Sequence, residues 1–281
     1  MTTRRVYNTR LDTAEILLRK QLQILEETSF DTALVLGTGW GDSLDTGPHK
    51  SMNLVHLPGG ENLDTIEGHK RRIEIGNVGG RDVLILRGRV HMNESTFNPD
   101  AAIFVRMQIE LLLRLGVKNL ILTCGAGGLT VDATPGKVYF INSFISDFGE
   151  VLPLFAGEFV SPEEMLDAAW RNEARNAVVN LADVDTLCGS YVFYRGPQIE
   201  GIRHDKGQML KRGGSVVGMS IKPECAIAAL YKDKGVRVLA LAHVMNGSGE
   251  VLNHIVHTEK AQTNSVRLGA ILTNIVADLP A

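Results

Sequence analysis

Arg89 and His91 are the first side chains whose types and spacing could do chemistry. They lie two positions apart in the segment Gly88–Glu94, which follows the apolar run Val83–Leu86. In an extended chain, residues two apart point to the same side. A guanidinium and an imidazole that converge at a strand end can bind an oxyanion through charge-assisted hydrogen bonds. The spacing therefore predicts an anion clamp.

Two glycine-rich segments follow short apolar runs. Leu120–Leu122 is typical of a strand buried on both faces, and Gly125–Gly128 comes just after it. Ala33–Leu36 is a second such run and leads into Gly37–Gly41, where Thr38 offers a hydroxyl. Glycine permits positive φ and a close approach of backbone N–H groups to a ligand. Because ligands of open α/β sheets bind at the carboxyl ends of strands, we expect the active site at these two turns.

The segment Gly37–Gly41 does not match a dinucleotide-binding fingerprint. That fingerprint reads G-x-G-x-x-G at the start of a helix, with an acidic residue after a second strand. Here the glycines read G-x-G-x-G, and the residues after them are rich in glycine and proline. A Rossmann-type oxidoreductase with a nicotinamide or flavin cofactor is therefore the least favoured function.

The composition is that of a globular protein with a sizeable core. The 281 residues are 44% hydrophobic and 22% charged, and the net charge is -3. This balance gives no sign of a surface for nucleic acid or acidic membranes. Cys124, Cys188 and Cys225 are widely spaced and lack metal-ligand spacing, so neither a disulfide framework nor a metal site is expected. The start of the chain has no apolar signal region, and we expect a cytoplasmic protein.

Apolar periodicity and the positions of glycine and proline predict alternating strands and helices. The predicted strands are Ala33–Leu36, Arg72–Ile75, Val83–Leu86, Leu120–Leu122, Val138–Ile145, Leu187–Phe193, Val216–Met219 and Val238–Ala242. The predicted helices are Leu11–Glu27, Pro99–Leu115, Met165–Leu181, Glu224–Lys232 and Asn253–Ala277. This order predicts an α/β fold, a single domain over residues 1–281 with a central mixed, largely parallel twisted sheet flanked by helices.

Three local features complete this description. Gly79 and Gly80 predict a hairpin turn between the second and third strands. Asp12 and Thr13 are expected to cap the first helix. The irregular stretch Ser146–Pro162 has the length of an active-site lid, so we expect it to cover the site.

The segments in this order resemble the trimeric purine nucleoside phosphorylases and the related methylthioadenosine phosphorylases. The strongest matches are L-x-G-R-x-H-x-x-E at Leu86–Glu94, T-x-x-A-G-G-L at Thr123–Leu129 and V-G-M-S at Val217–Ser220. Weaker matches are G-T-G-W-G, E-G-H at Glu67–His69, G-E-F-V at Gly157–Val160, G-P-x-x-E at Gly196–Glu200, and Asn246. The resemblance extends from Val35 to Leu272. It implies reversible phosphorolysis of a nucleoside, with inorganic phosphate as co-substrate and neither metal nor cofactor.

The resemblance also implies which residues bind phosphate. They are the Thr38 hydroxyl, His69, Arg89, His91, the backbone N–H of Gly125 and the Ser220 hydroxyl. A guanidinium forks onto phosphate, while hydroxyls and amides orient it. The alternative interpretation of Arg89 and His91 is a surface ion pair with Glu94.

A second implied set binds the nucleoside: Ala126, Gly127, Met219 and Ile199, with Glu200 and Asn246 on the base. Glu200 would accept from N1–H and the exocyclic amine, and Asn246 would donate to N7. Adenine lacks the N1 proton, so this pair fits a 6-oxopurine better. Phe159 would close the site of a neighbouring subunit in a homotrimer. Either His254 or His257 would contact the sugar 5'-hydroxyl, and His254 is preferred. The catalytic residues are then His91, Glu200, Asn246 and His254.

Three positions depart from the family pattern in the nucleoside half of the site. The family's tyrosine near the ribose corresponds to Asn93, the aromatic residue before the glutamate is Ile199, and the threonine after it is Gly201. Two aromatic walls are lost and a polar group is gained, so a modified nucleoside is a live alternative. A methylthioadenosine-type enzyme would want acidic residues near Asn246, where only Glu250 is close. A catalytically weak nucleoside-binding paralogue is the remaining alternative. In the leading interpretation, Arg89→Ala or Glu200→Ala removes turnover and leaves the fold intact.

Overall fold

The strands of the described chain form one mixed sheet. The computed structural model describes residues 3–47, 50–63, 70–146, 151–181, 184–196, 198–250 and 264–280. Its strands are β1 (Thr32–Leu36), β2 (Ser51–Asn53), β3 (Arg72–Val78), β4 (Arg81–Arg87), β5 (Asn119–Gly128), β6 (Val138–Ile145), β7 (Thr186–Phe193), β8 (Val216–Gly218) and β9 (Arg237–Asn246). Their order is β2-β3-β4-β1-β5-β8-β7-β6-β9. The predicted mixed α/β sheet is confirmed.

The sheet closes on itself through β5. This strand pairs with β1 through residues 119–122 and with β9, in parallel orientation, through residues 119–127. Its last two residues, Gly127 and Gly128, pair with β8 in antiparallel orientation. Because β9 also pairs with β6, the strands β5, β8, β7, β6 and β9 form a closed ring. The remaining strands extend from the ring as an arm. Closure of this kind removes exposed strand edges, and the sequence did not predict it.

The glycines after Leu122 continue β5 instead of forming a turn. The strand pairs with β9 as far as Gly127, with a bulge between Ala126 and Gly127. The predicted turn with positive φ is therefore wrong, since positive φ is not found at Gly125, Gly127 or Gly128. Close approach explains these glycines instead. A Cβ at Gly125 would lie 2.1 Å from Met245 Sδ, and one at Gly128 would lie 2.2 Å from a backbone carbonyl.

The helices cover both faces of the sheet. They are α1 (Arg4–Leu22), α2 (Pro99–Arg114), α3 (Ala168–Val178), α4 (Gly207–Lys211), α5 (Lys222–Ala229) and α6 (Ser265–Ala277). Successive residues of β1 belong to two different apolar clusters, Ala33 and Val35 to one and Leu34 and Leu36 to the other. Alternate side chains of a strand point to opposite faces, so the clusters are two core layers. In the described part of the chain, no helix is long and apolar enough to cross a membrane.

Two predicted helix starts are wrong. The helix α1 begins at Arg4, where Thr3 Oγ1 accepts from Val6 N at 3.3 Å, so Asp12 and Thr13 lie inside the helix and do not cap it. The helix α3 begins at Ala168 with Asp167 as its cap, after a separate 3-10 turn at Pro162–Met165. Both errors arise because several residues nearby could have acted as caps. The predicted start of the last helix, Asn253, lies outside the described residues.

The stretch Ser146–Pro162 was expected to cover the site, but its described residues 151–161 pack against other parts of the chain. The Phe155 ring packs edge-on against Tyr7, with centroids 5.4 Å apart. Glu158 forms a 2.6 Å ion pair with Arg106. These contacts hold residues 151–161 against α1 and α2, and none of these residues lines the cavity described below. This part of the stretch therefore does not cover the cavity of its own chain.

His243 in β9 is a buried histidine. It is 1% exposed, and neither ring nitrogen has a hydrogen-bond partner within the described chain. Burial, with a smaller effect from the positive charge of Arg267, lowers the pKa of His243 to about 4. The unfolded chain, with the ordinary histidine pKa near 6.5, therefore binds a proton between these values that the folded chain excludes.

We expect the free energy of unfolding to decrease by up to about 3 kcal/mol as the pH falls from 6.5 to 4. His243→Leu should remove this part of the pH dependence. Urea unfolding at several pH values measures it, and the exposed His56 provides a control variant, His56→Gln. Equal slopes for the wild type and His243→Leu would contradict the prediction.

Candidate active site

A cavity of about 340 Å³ opens at the carboxyl end of β5. Strands β5, β8 and β9, the loop after β1 and the segments after β4 and β7 all contribute to its wall. The lining residues are Gly37, Thr38, His91, Asn93, Cys124, Gly125, Ala126, Gly127, Ile199, Glu200, Val217, Gly218, Met219, Ser220, Met245 and Asn246. Donor groups of the predicted phosphate site and acceptor groups of the predicted base site thus share one cavity.

Thr38, Gly125 and Ser220 form the polar end of the cavity. An added Cβ on Gly125 would lie 3.4 Å from Thr38 Cβ, so the two segments touch. Ser220 N donates to Tyr191 Oη at 3.2 Å, which fixes the end of β8. The next residue, Ile221, is fully buried with φ 69°. Positive φ in a β-branched residue is strained, and such strain persists where the surrounding structure holds it.

His91 is held by Glu94. The Glu94 carboxylate accepts from His91 N at 2.9 Å, and its Oε1 lies 3.3 Å from His91 Nδ1. Arg71 Nη2 donates to the other oxygen at 2.6 Å. Burial alone would raise the pKa of Glu94, but the hydrogen bonds from His91 and the charge of Arg71 outweigh it and lower the pKa. His91 thus contacts Glu94, as the alternative interpretation predicted, but the contact is a largely buried hydrogen bond and not a surface ion pair. Arg71 is a partner that the sequence did not predict.

Arg71 combines a buried charge with a strained backbone, since it is 3% exposed and has φ 46°. We expect Arg71→Ala to destabilise the fold by about 3 kcal/mol, because Glu94 would keep a buried charge without its cation. Arg71→Gly should be less damaging by about 1 kcal/mol, because glycine adopts this φ without strain. Denaturant unfolding measures both. The control Arg72→Ala, at a side chain that is 40% exposed, should cost less than about 1 kcal/mol. Identical losses for Arg71→Ala and Arg71→Gly would show that the strain is negligible.

Arg89 lies behind the cavity and not beside His91. The strand β4 ends at Arg87, and Gly88 turns the chain with φ 71°. The prediction that the two side chains point the same way is therefore wrong. The Arg89 side chain is 0% exposed, its Nη1 lies 2.7 Å from Glu224 Oε1, and its Nη2 donates to Thr123 O. The ion pair is thus with Glu224 and not with Glu94. A direct contact of Arg89 with phosphate remains a prediction.

Glu200 and Asn246 form the other end of the cavity. A Cβ at Gly127 would lie 3.0 Å from Glu200 Oε1 and 3.3 Å from Asn246 Oδ1, so both oxygens converge over this glycine. Burial raises the pKa of Glu200. Asn246 Nδ2 donates to Glu250 O at 3.0 Å, and its Oδ1 has no partner among the described residues. In this arrangement Asn246 presents an acceptor to a ligand, where the sequence predicted a donor.

Asn93 and Met219 lie together in the wall of the cavity. Asn93 Nδ2 is 3.7 Å from Met219 Sδ, and Asn93 Oδ1 has no partner within the described chain. Ile199 lines the same cavity and is 43% exposed. Phe159 is 94% exposed and does not line it. His69, His254 and His257 lie outside the described residues.

The structure adds residues to the cavity that the sequence did not single out for the site, namely Cys124, Val217 and Met245. Cys124 follows Thr123 within a quoted motif, so its position in that motif was a usable signal. Burial raises the pKa of the Cys124 thiol to about 12, so it is not a nucleophile at neutral pH. Among the described residues, no group of three or more potential ligands could hold a metal ion.

The sequence pattern of the phosphorylase superfamily matches residues 32–277, and the chain belongs to this superfamily. A curated purine nucleoside phosphorylase of Mycobacterium tuberculosis is 28% identical over 271 residues, which are 93% of this chain and 96% of that protein. Purine nucleoside phosphorylase 1 of Geobacillus stearothermophilus is 27% identical, over 88% and 90% of the two chains. The enzyme class expected from the resemblance, a pentosyltransferase of the purine nucleoside phosphorylase family, is confirmed.

Solved structures share the fold. A crystal structure of Schistosoma mansoni purine nucleoside phosphorylase in complex with inosine matches with a TM-score of 0.80 and covers 97% of both chains. A second structure of that protein, in complex with adenosine, has a TM-score of 0.79 and covers 98% of both. The identities are 21% and 23%, so these matches establish the fold alone.

Proposed function

We propose that this enzyme cleaves purine nucleosides with inorganic phosphate, prefers 6-oxopurines, and releases the free base and a pentose 1-phosphate. One observation carries the proposal: acceptor oxygens at one end of a single cavity face hydroxyl, imidazole and amide groups at the other. Its volume of about 340 Å³ is within the range usual for small-molecule sites. Curated relatives named purine nucleoside phosphorylase support the reaction class.

The base end favours a ligand that brings hydrogen-bond donors. The carboxylate of Glu200 and Oδ1 of Asn246 both accept, and they converge on Gly127. A 6-oxopurine carries an N1–H for Glu200, whereas adenine has no proton there. Asn246 Oδ1 would accept from N7–H once the departing base takes a proton from water at N7, which differs from the donor role expected from sequence. Protonation at N7 offsets the negative charge that the base gains with the electron pair of the glycosidic bond.

The phosphate end supplies donors and orientation. A phosphate oxygen attacks the anomeric carbon, the bond from that carbon to the base nitrogen breaks, and the base takes the bonding electrons. Thr38, Ser220, His91 and the N–H of Gly125 would hold the phosphate beneath the sugar. Glu94 fixes the His91 ring, so the imidazole keeps one orientation while phosphate binds. Arg89 adds positive charge from behind Gly37, where a Cβ would lie 2.8 Å from its Nη2.

The sugar contacts and the assembly are part of the proposal. Met219 and Asn93 would face the ribose, and the altered wall at Asn93 and Ile199 leaves room for a modified nucleoside. A homotrimer in the cytoplasm, in which Phe159 closes a neighbouring site, is the setting we propose. The 94% exposure of Phe159 leaves its ring available for such a contact. His254 or His257 would bind the 5'-hydroxyl, and His69 would join the phosphate site.

The test is base release from inosine, guanosine, adenosine, methylthioadenosine and uridine, with and without phosphate, followed by chromatography. Phosphate-dependent release from inosine or guanosine is the expected result. Release from methylthioadenosine would favour the alternative phosphorylase. That alternative ranks lower because Glu250, the acid near Asn246, accepts from Gly247 N at 2.8 Å and does not line the cavity. Binding without turnover of any nucleoside would favour the weakly catalytic paralogue.

A further inference from the structure

Lys206 is a buried lysine beside the base end of the cavity. It ends a π-helical turn, Ile202–Lys206, that follows Glu200 and Gly201. Its backbone N–H donates to Gly201 O at 3.0 Å, and the whole residue is 3% exposed. Such turns are rare and frequently occur at functional sites. Lysine is seldom this buried unless its ammonium is paired.

The ammonium of Lys206 has three partners. Nζ donates to Gly247 O and to Glu250 O at 3.1 Å each, and it lies 3.9 Å from Glu200 Oε1. An ammonium carries three donor protons. Two of them bond to the carbonyl oxygens of the turn after β9, and the third is available to the Glu200 carboxylate. One cation thus joins the segment that carries Glu200 to the segment that follows Asn246.

The Glu250 carbonyl links Lys206 to Asn246. Asn246 Nδ2 donates to the same oxygen at 3.0 Å. The rotation of the Asn246 carboxamide, which turns Oδ1 toward the cavity, therefore depends on a carbonyl that Lys206 holds in place. Both acceptors that face the base are connected to this lysine, one by charge and one by a shared hydrogen-bond acceptor.

We propose that Lys206 is a positioning residue that keeps Glu200 ionised and holds the Gly247–Glu250 turn that orients Asn246. The inference rests on the proposed function, because it assigns Glu200 and Asn246 to the leaving base. Lys206 does not line the cavity, so it acts through these two residues and does not touch the base in this arrangement.

The charges around Glu200 oppose one another. Burial raises the pKa of Glu200, a backbone hydrogen bond and the nearby Lys206 lower it, and Asp205 on the same π-helical turn raises it. Burial also lowers the pKa of Lys206, while the charges of Glu200 and of Glu250 on the facing turn raise it. Without Lys206, burial and the charge of Asp205 would raise the pKa of Glu200 with no nearby cation to lower it. A protonated Glu200 would lose one acceptor for the N1–H of the base.

The first test compares pH profiles of kcat/KM for inosine. Lys206→Gln removes the charge but keeps a donor for the turn carbonyls, and Lys206→Met removes both. We expect the acidic limb to move up by about one pH unit in both variants, since an opposite charge at this distance shifts a pKa by about that much or more. Lys206→Arg, which restores a cation, should return the limb toward the wild type. Lys211→Met, at an exposed lysine of α4, should leave it unchanged.

The second test does not require turnover. The pKa of Glu200 is measured by carbon NMR of labelled glutamate carboxyls in the ligand-free protein, with its signal assigned from Glu200→Gln. A rise of about one unit in Lys206→Gln is expected. Equal Glu200 pKa values in the wild type and Lys206→Gln would overturn the role of Lys206, whatever the activity. A wild type without phosphate-dependent turnover would instead overturn the proposed function alone.

Discussion

Glu200→Gln is expected to lower kcat/KM for inosine by about 10²- to 10³-fold, because the variant loses the charge-assisted hydrogen bond that the buried carboxylate accepts from N1–H of the base. The amide keeps the shape of the side chain but replaces an ionised acceptor with a neutral group. Glu200 is 7% exposed and lies over Gly127, so water cannot easily take its place. Initial rates with varied inosine at saturating phosphate measure the effect.

The pH dependence of the Glu200 variant is a second readout. Burial raises the pKa of Glu200, so the acidic limb of the wild-type profile should lie above the pH range usual for a carboxylate. Glu200→Gln should remove that limb. Glu173→Gln, at an exposed position of α3, serves as the control and should keep wild-type kinetics. Normal kcat/KM in Glu200→Gln would refute the assignment of Glu200 to the base.

Removal of either member of the Arg89–Glu224 pair is expected to destabilise the fold by about 3–5 kcal/mol. The two side chains are 0% and 2% exposed, so Arg89→Ala leaves a buried carboxylate without its cation, and Glu224→Ala leaves a buried guanidinium. Because the pair is buried, we no longer expect Arg89→Ala to leave the fold intact. Guanidinium unfolding of both single variants measures the loss.

The double variant Arg89→Met with Glu224→Leu separates stability from function. Apolar residues of similar volume commonly replace a buried ion pair with little or no loss of stability. We expect unfolding close to the wild type together with a higher KM for phosphate, because the positive charge behind Gly37 is gone. A stable double variant with an unchanged KM for phosphate would make Arg89 purely structural.

The strands were largely predictable because each depends on a local signal. Ala33–Leu36, Val138–Ile145 and Leu187–Phe193 are apolar runs bounded by turn residues, and they lie within one residue of the observed strands. A short run of this kind is most stable as a strand that is buried within a sheet. The helix α2 was equally clear, because Pro99 begins it and the chain leaves it before Gly116.

The glycines of β5 show where local reasoning failed. Glycine permits both a turn and an extended strand, and the choice depends on what lies beside the backbone. Here Met245, which is remote in sequence, leaves no room for a Cβ at Gly125, and the carbonyl of Ala133, in the turn that follows β5, leaves none at Gly128. The closed ring of β5, β8, β7, β6 and β9 was also not predictable from local signals, because it is closed by pairings between strands that are far apart in the chain.

The motifs by themselves predicted the residue types of the candidate site: the donors Thr38, His91 and Ser220, the acceptor Glu200, and Asn246, which the sequence assigned as a donor. Only the tertiary structure decided how they are supported. Glu224 pairs with Arg89 across 135 positions, and the turn after β9 meets Lys206 across more than forty. The energy of such contacts depends on distance and burial, which the order of residues along the chain does not specify.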